Sequence, residues 1–414
     1  MREEIDRLME ERGIEALVVM GRPTTCRDMA YLCGPVKITG GYVVKPRGAD
    51  AFVVVNLMER DEAAQSGLKV RLLSEFGWEE VVKEKGSRVA ATVEILCRIL
   101  EPFSPNRVAF YGQGAFGDVV ALAESLKEAP FEAVFEQSSA SVLTLARMRK
   151  DEDEIARIKD VGRRAQEVFA RVVQFLSSCS SNREGVLTKD GEVVTVGRMK
   201  RLIRMWSEEL DLDASAEEVI FAQGYDAAVP HSRGTDSDSI KVGETIVFDF
   251  CPCERGGGYF FDMTRTFCVG EVRDEVALVW RRVLEVQTRV LSELEVGRAA
   301  CEFDQISSSM FEEWGYPTLR KNPGTSSGYV HGLGHGLGLQ IHEMPYLSAL
   351  RADKTPLAAG HVFTVEPGLY FPDKRFGVRL EDVVAIHGDG TIENLTPFSK
   401  EILVPLKGRR VKTA

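Results

Sequence analysis

The sequence predicts two folded domains. One is an α/β domain over residues 1–145; the other is an α+β domain over 146–414, an antiparallel sheet covered by helices. Three observations lead there. Strand-like and helix-like segments alternate through about the first 140 residues. A charged run, Arg147–Glu154, then precedes a long amphipathic pattern. After Ser180, apolar strands are punctuated by turn residues.

In chain order, IEALVVM (14–20), GYVVKPR (41–47), DAFVVVN (50–56) and RVAFYG (107–112) read as buried strands. RDEAAQSG, SRVAATVEILCRIL and FGDVVALAESLKE read as the helices between them. Neither G-x-G-x-x-G nor G-x-x-x-x-G-K-[ST] occurs here, so this domain offers no phosphate loop. Past the charged run, Ile155, Ile158, Val161, Val168, Val172 and Leu176 are spaced largely three and four apart, the stripe of a core-facing helix. A second such helix runs from about Asp274 to Leu294. EEVIFAQ, ETIVFDF, YFFDMTRTFCV, HVFTVE and GVRLEDVVAI read as strands.

At 414 residues, 44% hydrophobic and 28% charged, the composition is that of a soluble globular protein. A net charge of −11 argues against a nucleic-acid partner, although KGRRVK (Lys407–Lys412) is locally basic. The N-terminal MREEIDRLMEERG lacks the apolar core of a signal peptide, and no apolar run approaches the roughly 18 residues of a membrane span. Eight cysteines without framework spacing point to a reducing, cytoplasmic setting. Cys251 and Cys253 form a lone C-x-C, read as packing because zinc sites favour paired C-x-x-C elements.

Chemistry enters with acids in apolar strands. Asp249 stands among Ile246, Val247, Phe248 and Phe250, and Asp262 follows three aromatics, with the turn-forming CPCERGGG between them. Glu366 ends HVFTVE before Pro367-Gly368, and Glu381 lies in GVRLEDVVAI, where strand alternation puts it on one face with Arg379. Two hairpins with two acids each suggest a pseudo-symmetric site. Desolvation and mutual repulsion raise the pKa values of four clustered carboxylates unless cations neutralise them. With one histidine added, the donor set suits manganese, cobalt, iron or zinc. Two such ions about 3.5–4 Å apart would hold a water as bridging hydroxide.

HGLGHGLGLQIHE (331–343) carries three of the six histidines. Its glycines disfavour a helix, at about 1 kcal/mol each, and HEMPY is not H-E-x-x-H, so a helical zinc pair is excluded. The segment reads as a narrow pocket wall whose glycines let backbone approach a ligand.

The order Asp249, Asp262, His335, Glu366, Glu381 resembles the five metal ligands of the pita-bread metallopeptidases, which include methionine aminopeptidase, aminopeptidase P and prolidase. The resemblance covers the C-terminal domain from about residue 150 and, more weakly, the N-terminal domain, which is similar to the non-catalytic domain of prolidases and creatinase. It implies that Asp249 binds one metal, that Asp262 and Glu381 bridge both, and that His335 and Glu366 complete the second. It further implies Glu366 as proton acceptor and donor, with His342 and His231 near the scissile carbonyl. His331 and Arg379 resemble the proline-directed branch, Arg379 also being a charge partner for Glu381.

What the resemblance implies is hydrolysis of Xaa-Pro bonds by a homodimer with two divalent ions, manganese foremost. The alternatives are a non-catalytic peptide-binding scaffold and a methionine aminopeptidase-like activity. Two departures bear on substrate preference. Twelve residues separate the aspartates, more than the family usually has. Asp249-Phe250-Cys251 and Gly258-Tyr259-Phe260-Phe261-Asp262 stand where many members have D-x-G and Gly-Tyr-x-Ser/Ala-Asp.

Overall fold

The computed structural model describes residues 2–214, 219–351 and 354–406. The basic run Lys407–Lys412 and the start of EEVIFAQ lie outside them. The chain divides into two compact units, Met1–Arg147 with Gly256–Gly258, and Met148–Arg255 with Tyr259–Ala414.

The first unit is built on a six-stranded mixed sheet. Its strands are β1 (Ala16–Gly21), β2 (Gly41–Pro46), β3 (Phe52–Val55), β4 (Lys69–Leu72), β5 (Arg107–Gly112) and β6 (Glu132–Val134), in the order β4-β3-β2-β1-β5-β6. Central β1 runs antiparallel to β2 and parallel to β5, and Val18, Val44, Val54 and Val108 share a core with Ile95 and Leu96 of the Arg88–Leu100 helix. The edge strands β4 and β6 escape sequence reading because they are only four and three residues long and neither has a buried residue.

In the second unit, the Glu152–Ser177 helix starts at a reciprocal cap. The Asp151 carboxylate accepts from the Glu154 N–H, and the Glu154 carboxylate accepts from that of Asp151. Its apolar stripe faces a sheet made of β7 (Val219–Gln223), β8 (Thr245–Phe250) and β9 (Met263–Val269), all antiparallel, with short Leu403–Val404 parallel to β9. Phe169 of the helix stacks on Phe248 of β8, with centroids 4.1 Å apart.

Apart from short pairings between Ser180 and Glu254, the later strands are β10 (Gly334–Gly336), β11 (Glu343–Leu347), β12 (Val362–Val365), β13 (Gly368–Phe371), β14 (Phe376–Arg379), β15 (Asp382–Ile386) and β16 (Ile392–Asn394). Five of them form the order β11-β10-β12-β15-β16, while β13 and β14 make a separate hairpin. The Asp274–Glu293 helix buries Val276, Val279, Val283, Val286 and Val290 in one core with Phe363, Val365, Leu369, Val378 and Val384 of these strands.

One expectation is corrected. GVRLEDVVAI is two strands, not one: Arg379 pairs with Gly368 in the β13–β14 hairpin, whereas Asp382 pairs with Val365 in the larger sheet. The chain changes partner at Leu380-Glu381, and apolar alternation continues across the break.

Candidate metal centre

All four carboxylates emerge where a strand ladder stops. Asp249, second from the end of β8, faces Thr264, and Asp262 immediately precedes β9. Glu366 follows β12 and Glu381 precedes β15, just beyond the last pair, Val365–Asp382. Polar clamps tie the two pairs together. The Glu381 N–H donates to the Thr264 carbonyl at 3.1 Å, and the Thr264 hydroxyl donates to the Glu381 carboxylate at 2.7 Å. Buried Arg265 donates to the Glu381 carbonyl and to the Asp382 carboxylate. From the Asp274–Glu293 helix, Gln287 donates to the carbonyls of Val365 and Leu380, the residues before Glu366 and Glu381.

His335 enters from β10. Its Nδ1 lies 3.1 Å from the Gly336 carbonyl, which only accepts, so Nδ1 carries the proton. Burial, and then neighbouring His342, lower its pKa to about 3, so the ring is neutral at pH 7. The lone pair on Nε2 therefore faces Glu366 Oε1 at 3.4 Å and Asp262 Oδ2 at 3.8 Å. A lone pair aimed at carboxylate oxygens needs a shared proton or a metal cation between them.

The carboxylates state the same need. Burial, then Glu381 and Asp249, push Asp262 well up; burial, then Glu366 and Asp249, push Glu381 well up. Burial raises Glu366 to about 8, against the opposing pull of Arg379. Donor atoms of Asp262, His335 and Glu381 all lie within 4.8 Å of one another, and so do those of Asp249, Cys251 and Asp262. Oxygen donors with one imidazole fit divalent ions of the manganese-to-zinc series.

A cavity of about 440 Å³ is lined by Asp249, Asp262, His335, Glu366, Glu381, His231, His331, His342 and Arg379, so all nine residues singled out in the sequence meet in one place. His231 and His342 are exposed, and the His342 ring lies 4.3 Å from that of His335. Burial, then His231, lower the His342 pKa.

On the opposite wall a hydrogen-bonded chain runs inward. His331 Nδ1 donates to the Gly332 carbonyl at 2.7 Å, so its Nε2 accepts from the Tyr370 hydroxyl at 3.0 Å. That hydroxyl accepts from Arg379 Nη1 at 2.8 Å, and Arg379 Nη2 pairs with Asp249. The direct ion-pair partner of Arg379 is thus Asp249; Glu381 is reached through Thr264, to which Arg379 Nε also donates. Burial, then Arg379, lower His331 to about 4, which keeps it a neutral acceptor.

Two further readings are revised. The glycines of HGLGHG make room for neighbouring strands, and Gly332 and Gly334 also line the cavity. A Cβ on Gly334 would stand 2.0 Å from the Thr364 carbonyl oxygen of β12, and one on Gly336 would stand 2.1 Å from that of Met344 in β11. Cys251 is not mere packing, since its sulfur sits between Asp249 and Asp262. Burial, then those two carboxylates, push its thiol well up. Tyr370, Thr264 and Gln287 were missed as well. Each sits in a regular pattern where a polar residue is unremarkable, and the only sequence signal at Cys251 was its place in D-x-G.

Residues 156–388 match metallopeptidase family M24, over more than half of the chain. The Xaa-Pro dipeptidase of Pyrococcus furiosus is 35% identical over 216 residues, 51% of this chain and 58% of that protein, so the chain matches less than two thirds of that relative's length. Two solved structures share the fold: an Xaa-Pro dipeptidase from Bacillus anthracis (TM-score 0.76, 22% identity, 97% of this chain and 98% of that one) and the prolidase from Pyrococcus horikoshii OT3 (0.73, 23%, 97% and 99%).

Proposed function

The chain belongs to metallopeptidase family M24, and on that premise we propose that it is a two-metal exopeptidase cleaving Xaa-Pro bonds in dipeptides or at peptide N-termini. The observation that carries this is the unprotonated Nε2 of His335 facing Asp262 and Glu366 inside a cluster of four carboxylates, where Arg379 pairs with Asp249. Asp249, Asp262, His335, Glu366 and Glu381 would hold the ions. When bound, these would supply Lewis acidity and an acidified water.

The chain's own groups do the rest. Glu366, whose burial already favours a held proton, accepts the proton of the attacking water and returns it to the departing nitrogen. His342 and His231, exposed in the wall of the cavity, donate to the carbonyl oxygen as it gains charge. The His331–Tyr370–Arg379 chain walls the site on one side, and it supports the proline-directed reading together with the likeness to the Xaa-Pro dipeptidase of Pyrococcus furiosus. Eight free cysteines support a reducing compartment such as the cytoplasm.

The test is hydrolysis of an Xaa-Pro dipeptide, an Xaa-Pro-Yaa tripeptide and a Met-Ala peptide by the metal-reconstituted chain, with a chelator control and an Asp262→Asn variant. Cleavage before proline, lost with chelator and reduced about a thousandfold or more in the variant, is the expected result. Cleavage of the methionine peptide alone would move the chain to the methionine aminopeptidase branch. Stoichiometric metal without any cleavage would leave a peptide-binding scaffold.

A further inference from the structure

Resting on the metal-centre reading, we infer that Cys251 is a sixth protein ligand, which gives one of the two ions a thiolate and tilts the centre from manganese toward zinc, cobalt or ferrous iron.

The geometry is that of donors converging on one ion. Cys251 follows β8 directly and lines the cavity, its sulfur 3.3 Å from Asp249 Oδ1 and 3.1 Å from Asp262 Oδ1. A sulfur at ~2.3 Å and an oxygen at ~2.0 Å from a shared zinc stand roughly 3.0–3.5 Å apart for bond angles of about 90–109°. Both observed separations fall in that window.

As an ordinary thiol the residue is overcommitted. It has one proton and faces two carboxylate oxygens, so with both carboxylates ionised at least one contact sets lone pair against lone pair. His335 on the other side of Asp262 presents the same conflict, and a cation resolves both. The neighbouring Cys253 does not share this position: among the described residues, the groups suited to a metal include Cys251 and no other cysteine. On binding, the thiol proton passes to solvent and sulfur donates as thiolate. A thiolate is a softer donor than carboxylate or water, so it favours zinc, cobalt and ferrous iron over manganese. The oxygen-rich side, with His335, Glu366 and Glu381, has no such bias.

The experiment uses the full chain, stripped with chelator and reloaded anaerobically with Co²⁺ or Zn²⁺. Wild type with Co²⁺ should show thiolate-to-cobalt charge-transfer absorption in the near ultraviolet. The band should persist in Cys253→Ser and vanish in Cys251→Ser while bound Co²⁺ per chain is unchanged. The preference for Zn²⁺ over Mn²⁺ should fall about tenfold or more in Cys251→Ser. X-ray absorption of the zinc-loaded wild type, which needs no variant to fold, should show a sulfur neighbour at about 2.3 Å.

Stoichiometric metal without the band or the sulfur shell overturns the thiolate ligand and leaves the peptidase reading standing. So does a band that survives in Cys251→Ser. If wild type binds no metal at all, both readings fall together.

Discussion

The β8–β9 hairpin and the β12–β15 pair each bring two carboxylates to the same cavity, but they hold them by different means. In the first pair the grip is steric. Phe261, fully buried, precedes Asp262 and lies against Gly162 of the Glu152–Ser177 helix, where even a Cβ would come within 2.3 Å of its ring. In the second pair the grip is polar. Gln287, Arg265 and Thr264 supply hydrogen bonds to the backbone and side chains around Glu366 and Glu381. The inserted β13–β14 hairpin adds Tyr370 and Arg379 to this side, and Arg379 reaches across to pair with Asp249 of the first pair. Pseudo-symmetry in the acids thus coexists with different supports, one half held mainly by packing and the other mainly by hydrogen bonds.

If divalent ions are held by these acids as proposed, removing them strikes both halves, and pH should show it most strongly. Without cations, burial lifts Glu366 from its ordinary 4.5 to about 8, and Asp262 and Glu381 also move up. Between those limits the folded chain holds protons that the unfolded chain has released, so stability falls as pH rises. With metals bound the carboxylates stay ionised and this dependence flattens. Melting of chelated and reloaded protein should therefore diverge between pH 5 and pH 8, by at least several degrees given that ~1 kcal/mol shifts Tm by roughly 2–4 °C in a domain of this size. A gap independent of pH would mean that the acids are not held close without metal.

The steric half is probed by Gly162→Ala. On an exposed helix face alanine would stabilise, but here the added methyl must displace the Phe261 ring. A loss of about 1–3 kcal/mol in unfolding free energy is expected, with metal affinity weakened through Asp262. An unchanged or raised stability would show that Phe261 relaxes freely and that packing does not set the first half.

This contrast also explains what could be read from the chain. Asp249 among Ile246, Val247 and Phe248 was conspicuous because a buried acid needs a reason, and His335 stood in a segment too glycine-rich for a helix. The steric and polar supports were not conspicuous. Gln287 is one polar residue on an amphipathic helix, and Tyr370 is an aromatic in a strand, so neither breaks its local pattern. The glycines of HGLGHG announced close approach without saying to what; the answer, neighbouring strands β11 and β12, is a tertiary fact. Cys251 does not stand out in the sequence because thiolate sites are recognised by cysteine spacing, a rule blind to one thiol placed among carboxylates. The break at Leu380-Glu381 was hidden because both new partners bury the same alternation.

The smallest expected effect tests the wiring of the second half. Tyr370→Phe keeps the ring in its packed position and deletes only the hydroxyl that joins His331 to Arg379. Arg379 retains Asp249, Thr264 and the Pro230 carbonyl, so its place beside the metals should hold and metal content should not change. His331 loses the donor to Nε2, and the lost neutral hydrogen bond is worth about 1 kcal/mol, or roughly fivefold in kcat/KM. If His331 serves the substrate wall, that loss falls on peptides with proline at the second position and spares metal binding. An equal loss in metal affinity would instead place the whole chain, from His331 to Asp249, in service of the metals, and the reading of His331 as part of the substrate wall would fail.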